Sequence, residues 1–375
     1  MSDPQEFDFA VIGAGMAGAS IAAELVPHGR VLLAEAESVP GYHTTGRSAA
    51  FYEECYGGPQ VVPLTLASGP YLREHGFLSP RGALYVAREG QESEVEAFYK
   101  RFRDAGVTLD RFDRARLEQV LPGVRAGWRH GLYQPHCADI DVNGLHQHYL
   151  GIAKRGGANL RMNHRLAHAT RDAGGWRLEF GSAGEVRAAV AINAAGAWAD
   201  RVAHIFGALP LGIQPLRRTV AQLRVDPAPP ERLPLTLDLS GNFYFRPENG
   251  RLWLSPHDEV PSEPCDAAPE EYDVAQAIDR LESVVDWQVR AVERKWAGLR
   301  SFAPDRLPVY GFDPQVEGLF WFAGQGGYGI QTAPAAARLG AQLVTGRDPD
   351  AMTQTLDVKS YCPRRFAPAE AWPSA

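Results

Sequence analysis

A chain of 375 residues, 45% hydrophobic and 22% charged, has the composition of a globular protein and is long enough for two domains. Its net charge of −7, without a dense run of Lys and Arg, argues against nucleic acid or an anionic membrane as the main partner. No apolar run reaches the roughly 18 residues of a transmembrane helix, the N-terminus is acidic, and the four scattered cysteines form no CxxC pair. We therefore expect a cytoplasmic protein with a small-molecule partner and reduced cysteines.

The first 35 residues predict a dinucleotide-binding βαβ unit. Gly13, Gly15 and Gly18 follow an apolar strand and precede a small-residue helix in GxGxxG spacing. The first glycine makes the turn, the second lets a pyrophosphate approach the backbone, and the third lets the helix pack on the strand. Glu35 ends the next strand, where a carboxylate can accept hydrogen bonds from a ribose. The predicted contact residues of this unit are Gly13, Ala14, Gly15, Met16, Ala17, Gly18 and Glu35.

Two sequence patterns alternate along the rest of the chain. Residues 89–106 have acids in the first turn and apolar residues at helical spacing, and residues 268–285 repeat this pattern. Residues 186–206 and 319–344 each predict a β-branched strand followed by a small-residue helix, as in a parallel sheet. Residues 234–257 instead predict short antiparallel strands joined by turns. A nucleotide-binding domain interrupted twice by a substrate domain accounts for this order.

The glycine fingerprint suits both NAD and FAD, and three later features favour FAD. The polar loop 38–50 can follow a bound cofactor deeper into the protein, although an ordinary surface loop has the same composition. Residues 195–197 end a strand in Ala-Gly-Ala, which permits close approach of the backbone to a ligand. Residues 320–340 add a second strand, glycine loop and helix, whose amino end can point at the cofactor.

Several motifs in order resemble a known family. The N-terminal glycine motif, GYHTTGRSAA, NAAGAWAD, WAGLRSFAPDRLPVYG and QGGYGIQT are similar to the D-amino acid oxidase-like FAD-dependent oxidoreductase superfamily, and within it to bacterial D-arginine dehydrogenases most of all. The resemblance implies an α/β, FAD-binding Rossmann-type (glutathione-reductase-like) domain with a discontinuous α+β substrate domain built on an antiparallel sheet. The stretch APDRLPVYG lacks the cysteine to which some relatives tether the flavin, so the FAD is expected to be noncovalent.

The resemblance also implies a domain division and further cofactor contacts. The FAD-binding domain comprises residues 1–50, 140–216 and 300–375, and the substrate-binding domain comprises residues 51–139 and 217–299. The implied contacts beyond the first unit are Arg47, Ser48, Ala49, Ala195, Gly196, Arg300, Gly327, Tyr328, Gly329, Ile330, Gln331 and Thr332.

Three arginines are candidates for binding a carboxylate. Arg300 lies among apolar neighbours in WAGLRSF, and Arg217 and Arg218 lie on opposite faces of one strand. The forked donors of a guanidinium match a carboxylate, although a structural salt bridge satisfies them equally well. The resemblance implies that Arg300 and Arg218 bind the substrate carboxylate, which leaves Arg217 as the structural one.

The remaining pocket residues are implied by the same resemblance. Tyr56 and Tyr244 match pocket tyrosines, although either alone is more often a core aromatic. Gly327 and Gln331 match contacts beside the flavin ring and the substrate amine, and the same loop could simply cap a helix. The HQHY run at 146–149 has no acid or thiol at metal-ligand spacing nearby, so no metal site is predicted.

The segment SAAFYEECY departs from the family pattern. Ala83 stands where the arginine-preferring relatives have a glutamate that meets the substrate's distant cation, and Phe51 and Glu53 replace a histidine and a threonine. We hypothesise that Glu53 restores the cation site. The alternative has Glu53 and Glu54 in solvent and a pocket for apolar amino acids. That pocket would be lined by Phe51, Ala83, Leu235 and Leu237.

The function implied is FAD-dependent oxidative deamination of a D-amino acid, with basic D-amino acids as the candidate substrates. Hydride passes from Cα to flavin N5, and the imino acid hydrolyses to the keto acid. Because the amine is needed in its neutral form, we expect flavin reduction to speed up with pH. Oxygen and a quinone are both open as the electron acceptor.

Two alternative functions remain at this stage. The same superfamily contains oxidases of glycine, sarcosine or other secondary amines, and dehydrogenases of 2-hydroxy acids. An alternative of another class is a flavin-binding subunit or sensor without catalysis, against which the two arginines and two tyrosines argue.

Overall fold

The computed structural model describes residues 5–366. Its strands are β1 (Gln5–Ile12), β2 (Val31–Ala34), β3 (Phe51–Tyr52), β4 (Leu78–Pro80), β5 (Ala83–Arg88), β6 (Asp110–Phe112), β7 (Trp128–Gln134), β8 (Ala138–Ile140), β9 (Asn159–Arg161), β10 (His168–Asp172), β11 (Gly175–Glu179), β12 (Glu185–Asn193), β13 (Gln214–Asp226), β14 (Leu235–Asp238), β15 (Tyr244–Glu248), β16 (Arg251–Ser255), β17 (Val260–Pro261), β18 (Gln288–Phe302), β19 (Val309–Phe312), β20 (Leu319–Ala323) and β21 (Gln325–Gly326). Its α-helices are α1 (Met16–Leu25), α2 (Val62–Glu74), α3 (Glu92–Asp104), α4 (Arg114–Val120), α5 (Val142–Arg155), α6 (Ala199–Ile205), α7 (Glu271–Val284), α8 (Ala333–Thr345) and α9 (Val358–Tyr361). No helix within residues 5–366 is long and apolar enough to span a membrane.

The first sheet has the order β10-β11-β12-β1-β2-β9, with β20 beside β12 and β19 beside β20. Strands β12, β1, β2 and β9 run parallel, and β20 is parallel to β12. Successive residues of β1 are buried on opposite faces: Val11 packs with α1, α5 and α8, whereas Ala10 packs with α6. A strand covered on both faces is continuously apolar, and the second half of β1, residues 9–12, shows this pattern.

The second sheet has the order β21-β18-β13-β16-β15-β14-β5-β7-β6, and β17 pairs with β13. Its longest pairing joins β13 to β18 antiparallel. Helices α4 and α7 cover one face, where Leu84 and Val86 of β5 are buried, and α3 covers the other face beside Tyr85. A small third sheet, β3-β8-β4, positions the segment that begins at Phe51.

The predicted elements are confirmed in outline. The βα units at 7–35, 186–206 and 319–344 all lie in the first sheet, and the short strands of the 234–257 block pair antiparallel, β14 with β15 and β15 with β16. One pairing differs from a purely antiparallel sheet, because β14 lies parallel to β5. The domain boundaries stay a prediction.

Candidate active site

A cavity of about 380 Å³ lies at the carboxyl ends of β1, β2 and β12, where parallel sheets place their ligands. Gly13 has φ +103°, and an added Cβ would lie 2.6 Å from the Ala194 carbonyl oxygen, so the turn requires glycine. A Cβ on Gly18 would overlap the Gly13 carbonyl oxygen, which shows how closely α1 packs against β1. Helix α1 begins after Gly15, which has no side chain to cap it; Met16 N–H donates to the Thr45 hydroxyl at 3.0 Å, and the positive end of the helix dipole suits a phosphate.

Glu35 follows β2 and lines the same cavity. Its carboxylate accepts hydrogen bonds from the backbone N–H groups of Ala14 at 2.8 Å and Glu37 at 3.0 Å. The two donors fix the carboxylate, and each oxygen keeps a lone pair for a ribose hydroxyl. This position is compatible with the predicted ribose contact.

Twelve of the predicted cofactor-binding residues line this cavity. They are Gly13, Gly15, Met16, Ala17, Glu35, Ser48, Ala195, Gly196, Arg300, Gly327, Gly329 and Ile330. Of the other seven, Ala49 lines a second cavity, and the remaining six line neither cavity. That remainder consists of Ala14, Gly18, Arg47, Tyr328, Gln331 and Thr332.

Arg47, Tyr328 and Thr332 line neither cavity and their side chains have protein partners, so their predicted cofactor contacts stay predictions. The Arg47 guanidinium pairs with Asp266 and donates to the Ala267 carbonyl at 2.8 Å. The Tyr328 hydroxyl donates to the Arg306 carbonyl. The Thr332 hydroxyl donates to the Tyr328 carbonyl at 2.9 Å, so it supports the loop before α8.

Several residues that line the first cavity were not predicted from the sequence. Tyr42, His43, Thr44 and Thr45 belong to the loop 38–50 that was expected to follow the cofactor, so that expectation could have named them. Glu37 lies two residues after Glu35, and Trp198 belongs to the NAAGAWAD motif, so local signals were available for both. His164 and Arg165 come from a segment that carries no motif.

A second cavity of about 180 Å³ shares Arg300 and Gly327 with the first. The predicted residues in its wall are Tyr56, Tyr244, Glu53, Phe51, Leu235 and Leu237. Ala83 is fully buried but is not part of this wall, since it packs beneath it against Cys137 and Leu235. The wall also contains residues that were not predicted from the sequence, including Tyr85, Phe98, Arg101 and His257.

Arg300 is the charged group that the two cavities share. Among residues 5–366 no carboxylate forms an ion pair with its guanidinium, whose Cζ is 5.9 Å from the centre of the Tyr56 ring. The hydroxyls of Tyr56 and Tyr244 are buried without a well-aligned hydrogen-bond partner in the described part of the chain, and the Tyr244 hydroxyl lies close to the Arg300 guanidinium. Buried polar groups are normally satisfied, so these hydroxyls point to a ligand.

The two neighbouring arginines have different surroundings. Arg217 forms ion pairs with Glu270 and Asp273, as expected of a structural residue. Arg218 is 3% exposed and outside both cavity walls; its Nε donates to the Asp258 carbonyl at 2.7 Å, and its Nη2 forms an ion pair with Glu259 at 3.2 Å. Its Nη1 has no partner among the described residues, and burial together with Arg300 lowers the pKa of Arg218 to about 10. Arg218 therefore lies outside the second cavity wall with one unpaired donor, and its predicted contact with the substrate stays a prediction.

The two adjacent glutamates are both buried, which overturns the alternative that they face solvent. Glu54 lies 3.7 Å from His136 Nδ1. Glu53 lines the second cavity, and its carboxylate accepts hydrogen bonds from Cys55 N–H at 2.9 Å and from the Tyr85 hydroxyl. Burial is the main cause that raises the pKa of Glu53 to about 7.

Gln331 positions this segment instead of lining a cavity. Its amide accepts from Glu53 N–H at 3.2 Å and donates to the Glu53 carbonyl at 3.0 Å and to the Thr65 hydroxyl at 2.9 Å. These bonds use both amide hydrogens and one of the two lone pairs of Oε1, and the predicted contact with the substrate amine stays a prediction.

The family can be stated from these elements and from one comparison. The model of the DAO family, described as FAD dependent oxidoreductase, matches residues 8–343. The chain belongs to this family. Its cofactor is accordingly FAD, and the glycine turn, the amino end of α1 and Glu35 fit the phosphate and ribose groups of a dinucleotide.

Curated relatives and solved structures extend this finding. The chain is 25% identical to FAD-dependent oxidoreductase domain-containing protein 1 of Xenopus laevis, over 97% of this chain and 83% of that protein. It is 27% identical to glycine oxidase of Pseudomonas aeruginosa over 65% of each. The crystal structure of glycine oxidase from Geobacillus kaustophilus superposes with a TM-score of 0.83 at 23% identity, covering 96% of this chain and 99% of that one. The likeness supports this DAO-family fold and not D-arginine dehydrogenase in particular.

Proposed function

We propose that this FAD-dependent oxidoreductase oxidises an α-amino acid that it holds by the carboxylate. The observation that carries the proposal is the guanidinium of Arg300, which has no carboxylate partner among residues 5–366 and lines both cavities beside the buried hydroxyls of Tyr56 and Tyr244. Guanidinium and hydroxyl donors together match the geometry of a carboxylate. A substrate so held reaches from the second cavity to the first, where FAD binds.

The side chains contribute orientation and electrostatics. Bound FAD supplies the acceptor for a hydride from the substrate's α-carbon. Arg300 fixes the carboxylate, and the aromatic wall of Phe51, Tyr56 and Tyr244 excludes water from the α-carbon. The positive charges of Arg300 and Arg218 disfavour an ammonium group nearby, so the neutral amine is the reactive form. The rate of flavin reduction is then expected to rise with pH.

The substrate class follows from the far wall of the second cavity. Glu53 is a buried carboxyl in a wall otherwise rich in aromatic and apolar side chains, including Phe98 and Leu237. An ionised carboxylate there would pair with a cationic side chain, so we retain the basic D-amino acids as the first candidate substrates. The oxygen or quinone that reoxidises the flavin, and the cytoplasmic location, stay predictions.

The second candidate is oxidation of glycine or a secondary amine. It is supported by the similarity to glycine oxidase. The second cavity, at about 180 Å³, has space beyond what glycine fills, which favours the first candidate.

The test is anaerobic bleaching of the flavin absorbance. The panel contains D-arginine, D-lysine, D-methionine, D-leucine, their L-forms, glycine, sarcosine and a matched set of 2-hydroxy acids. Fastest bleaching by basic D-amino acids supports the first candidate, and fastest bleaching by glycine or sarcosine supports the second. Bleaching by hydroxy acids alone would overturn both.

A further inference from the structure

His257 is a polar residue of the second cavity that the proposed reaction has not yet used. It follows β16 and lines the cavity with Tyr244 and Arg300. Its φ of +55° lies in the left-handed region, where histidine is more frequent than most residues but still uncommon. Its Nδ1 lies 2.7 Å from the carbonyl oxygen of Gly241.

The contact with Gly241 fixes the tautomer of His257. A carbonyl oxygen only accepts hydrogen bonds, so Nδ1 carries the hydrogen and donates it. Nε2 is then left with a lone pair. It has no hydrogen-bond partner among the described residues and is not sealed off from the cavity.

The charge around His257 keeps the ring neutral. Burial, followed by the neighbouring guanidinium groups of Arg218 and Arg300, lowers the pKa of His257 to about 3. The ring of Tyr244 lies edge-on, with ring centroids 5.7 Å apart. We call Arg300, Tyr56 and Tyr244 the carboxylate clamp, because they are the donors proposed for the substrate carboxylate. His257 therefore places a neutral acceptor atom beside a set of donors.

We propose that Nε2 of His257 accepts a hydrogen bond from the α-amine of the substrate while Arg300 holds its carboxylate. The inference rests on the proposed function. In an α-amino acid the amine is the hydrogen-bond donor nearest to the carboxylate, one carbon away, so it is the group that reaches an acceptor beside the clamp. A hydrogen bond donated by the amine leaves the nitrogen lone pair free for the oxidation. His257 thus selects substrates with a donor at the α-carbon over plain carboxylic acids.

The variant His257→Asn separates this role from a structural one. The shorter amide can still donate to the Gly241 carbonyl, and asparagine tolerates the left-handed backbone, but no acceptor remains at the place of Nε2. His257→Gln extends far enough to put an amide oxygen near that place. His168→Asn, on the exposed strand β10, is the matched control.

The measurement compares two ligands of the FAD-loaded protein. One is the panel's fastest-reducing amino acid, whose dissociation constant comes from the concentration dependence of anaerobic bleaching. The other is the carboxylic acid with hydrogen in place of its amino group, whose dissociation constant comes from flavin difference spectra. For His257→Asn we expect the amino acid to bind roughly threefold to tenfold more weakly, with the carboxylic acid unchanged and with partial recovery in His257→Gln.

The outcomes distinguish a failure of the His257 contact from a failure of the proposed function. Equal weakening of both ligands, or weakening of neither, overturns the role of His257 and leaves the proposed function intact. If only 2-hydroxy acids bleach the wild-type flavin, both the proposed function and the amine contact are wrong. If no ligand of the panel bleaches it, both are overturned as well.

Discussion

At the scale of single residues, Glu53 shows how one carboxyl can define a pocket. Two adjacent acids among small and aromatic residues are costly unless each has a partner, and the structure gives each a different one. Glu54 lies beside His136, whereas Glu53 lines the second cavity with Cys55 N–H and the Tyr85 hydroxyl as its donors. Glu53 is thus the residue of the pair that can meet a substrate.

The first prediction concerns the charge of Glu53. Replacement by Gln removes the ionisable group but keeps its size, so the KM for D-arginine and D-lysine should rise on the order of tenfold or more, with little change for D-leucine. Steady-state kinetics of purified FAD-loaded protein measure this. Glu54→Gln, outside the cavity wall, is the matched control, and equal effects on basic and apolar substrates would refute the cation site.

The second prediction concerns stability against pH. Burial raises the pKa of Glu53 from 4.5 to about 7, so the folded protein binds a proton that the unfolded chain releases between these values. The contribution of Glu53 to the free energy of unfolding is fully present below pH 4.5. It decreases as pH rises, until Glu53 ionises in the folded protein near pH 7, and the total loss is about 3 kcal/mol. Glu53→Gln should lack this decline. Urea unfolding of both proteins between pH 4.5 and 8 tests it, and parallel curves would contradict it.

At the scale of elements, the loop between β20 and α8 joins the two cavities. Gly327 belongs to both walls, and Gln331 at the end of the loop holds the backbone of Glu53. The loop therefore sets the distance between the segment that carries Tyr56 and the FAD cavity.

The third prediction is that Gly327→Ala disrupts the carboxylate clamp. An added Cβ would overlap the Tyr56 hydroxyl and lie 3.0 Å from Arg300 Cδ, so one of them must move. A displacement of about 1 Å in a positioning group costs on the order of a hundredfold in kcat/KM. Gly127→Ala, where the added Cβ meets nothing within 4 Å, is the control. Unchanged kcat/KM would show that Gly327 does not set the clamp.

Sequence reasoning succeeded where the signal is local and failed where it is not. The turn at Gly13 and the acid at Glu35 were predictable because spacing and strand ends define them. The support role of Gln331 was not, because its partner Glu53 lies 278 positions away in the chain. The acceptor atom of His257 depends on the Gly241 carbonyl and two distant arginines, none of which a local pattern reveals.

At the scale of the whole molecule, the two large sheets meet around the cofactor. The first sheet contributes the glycine turn and Glu35, and β18 of the second contributes Arg300 to the same cavity. A ligand that contacts both sheets binds the folded protein and not the unfolded chain, so it stabilises the fold.

The fourth prediction follows from this arrangement. Protein stripped of FAD should unfold at lower urea, and FAD at 100 times its Kd should restore about 2.7 kcal/mol of unfolding free energy. NAD, a dinucleotide without the flavin, is the control ligand and should restore much less. Stability that does not depend on FAD concentration would contradict the assignment of this cavity.

The central claim is that the Arg300 guanidinium holds the substrate by its carboxylate. The most direct test compares anaerobic flavin bleaching by the fastest amino acid of the panel with bleaching by its carboxamide, which keeps the amine and the side chain but loses the negative charge. We expect the carboxamide to bleach the flavin at least about tenfold more slowly at equal concentration, and the difference to disappear in Arg300→Met. Equal bleaching by the acid and its amide in the wild-type protein would contradict the claim.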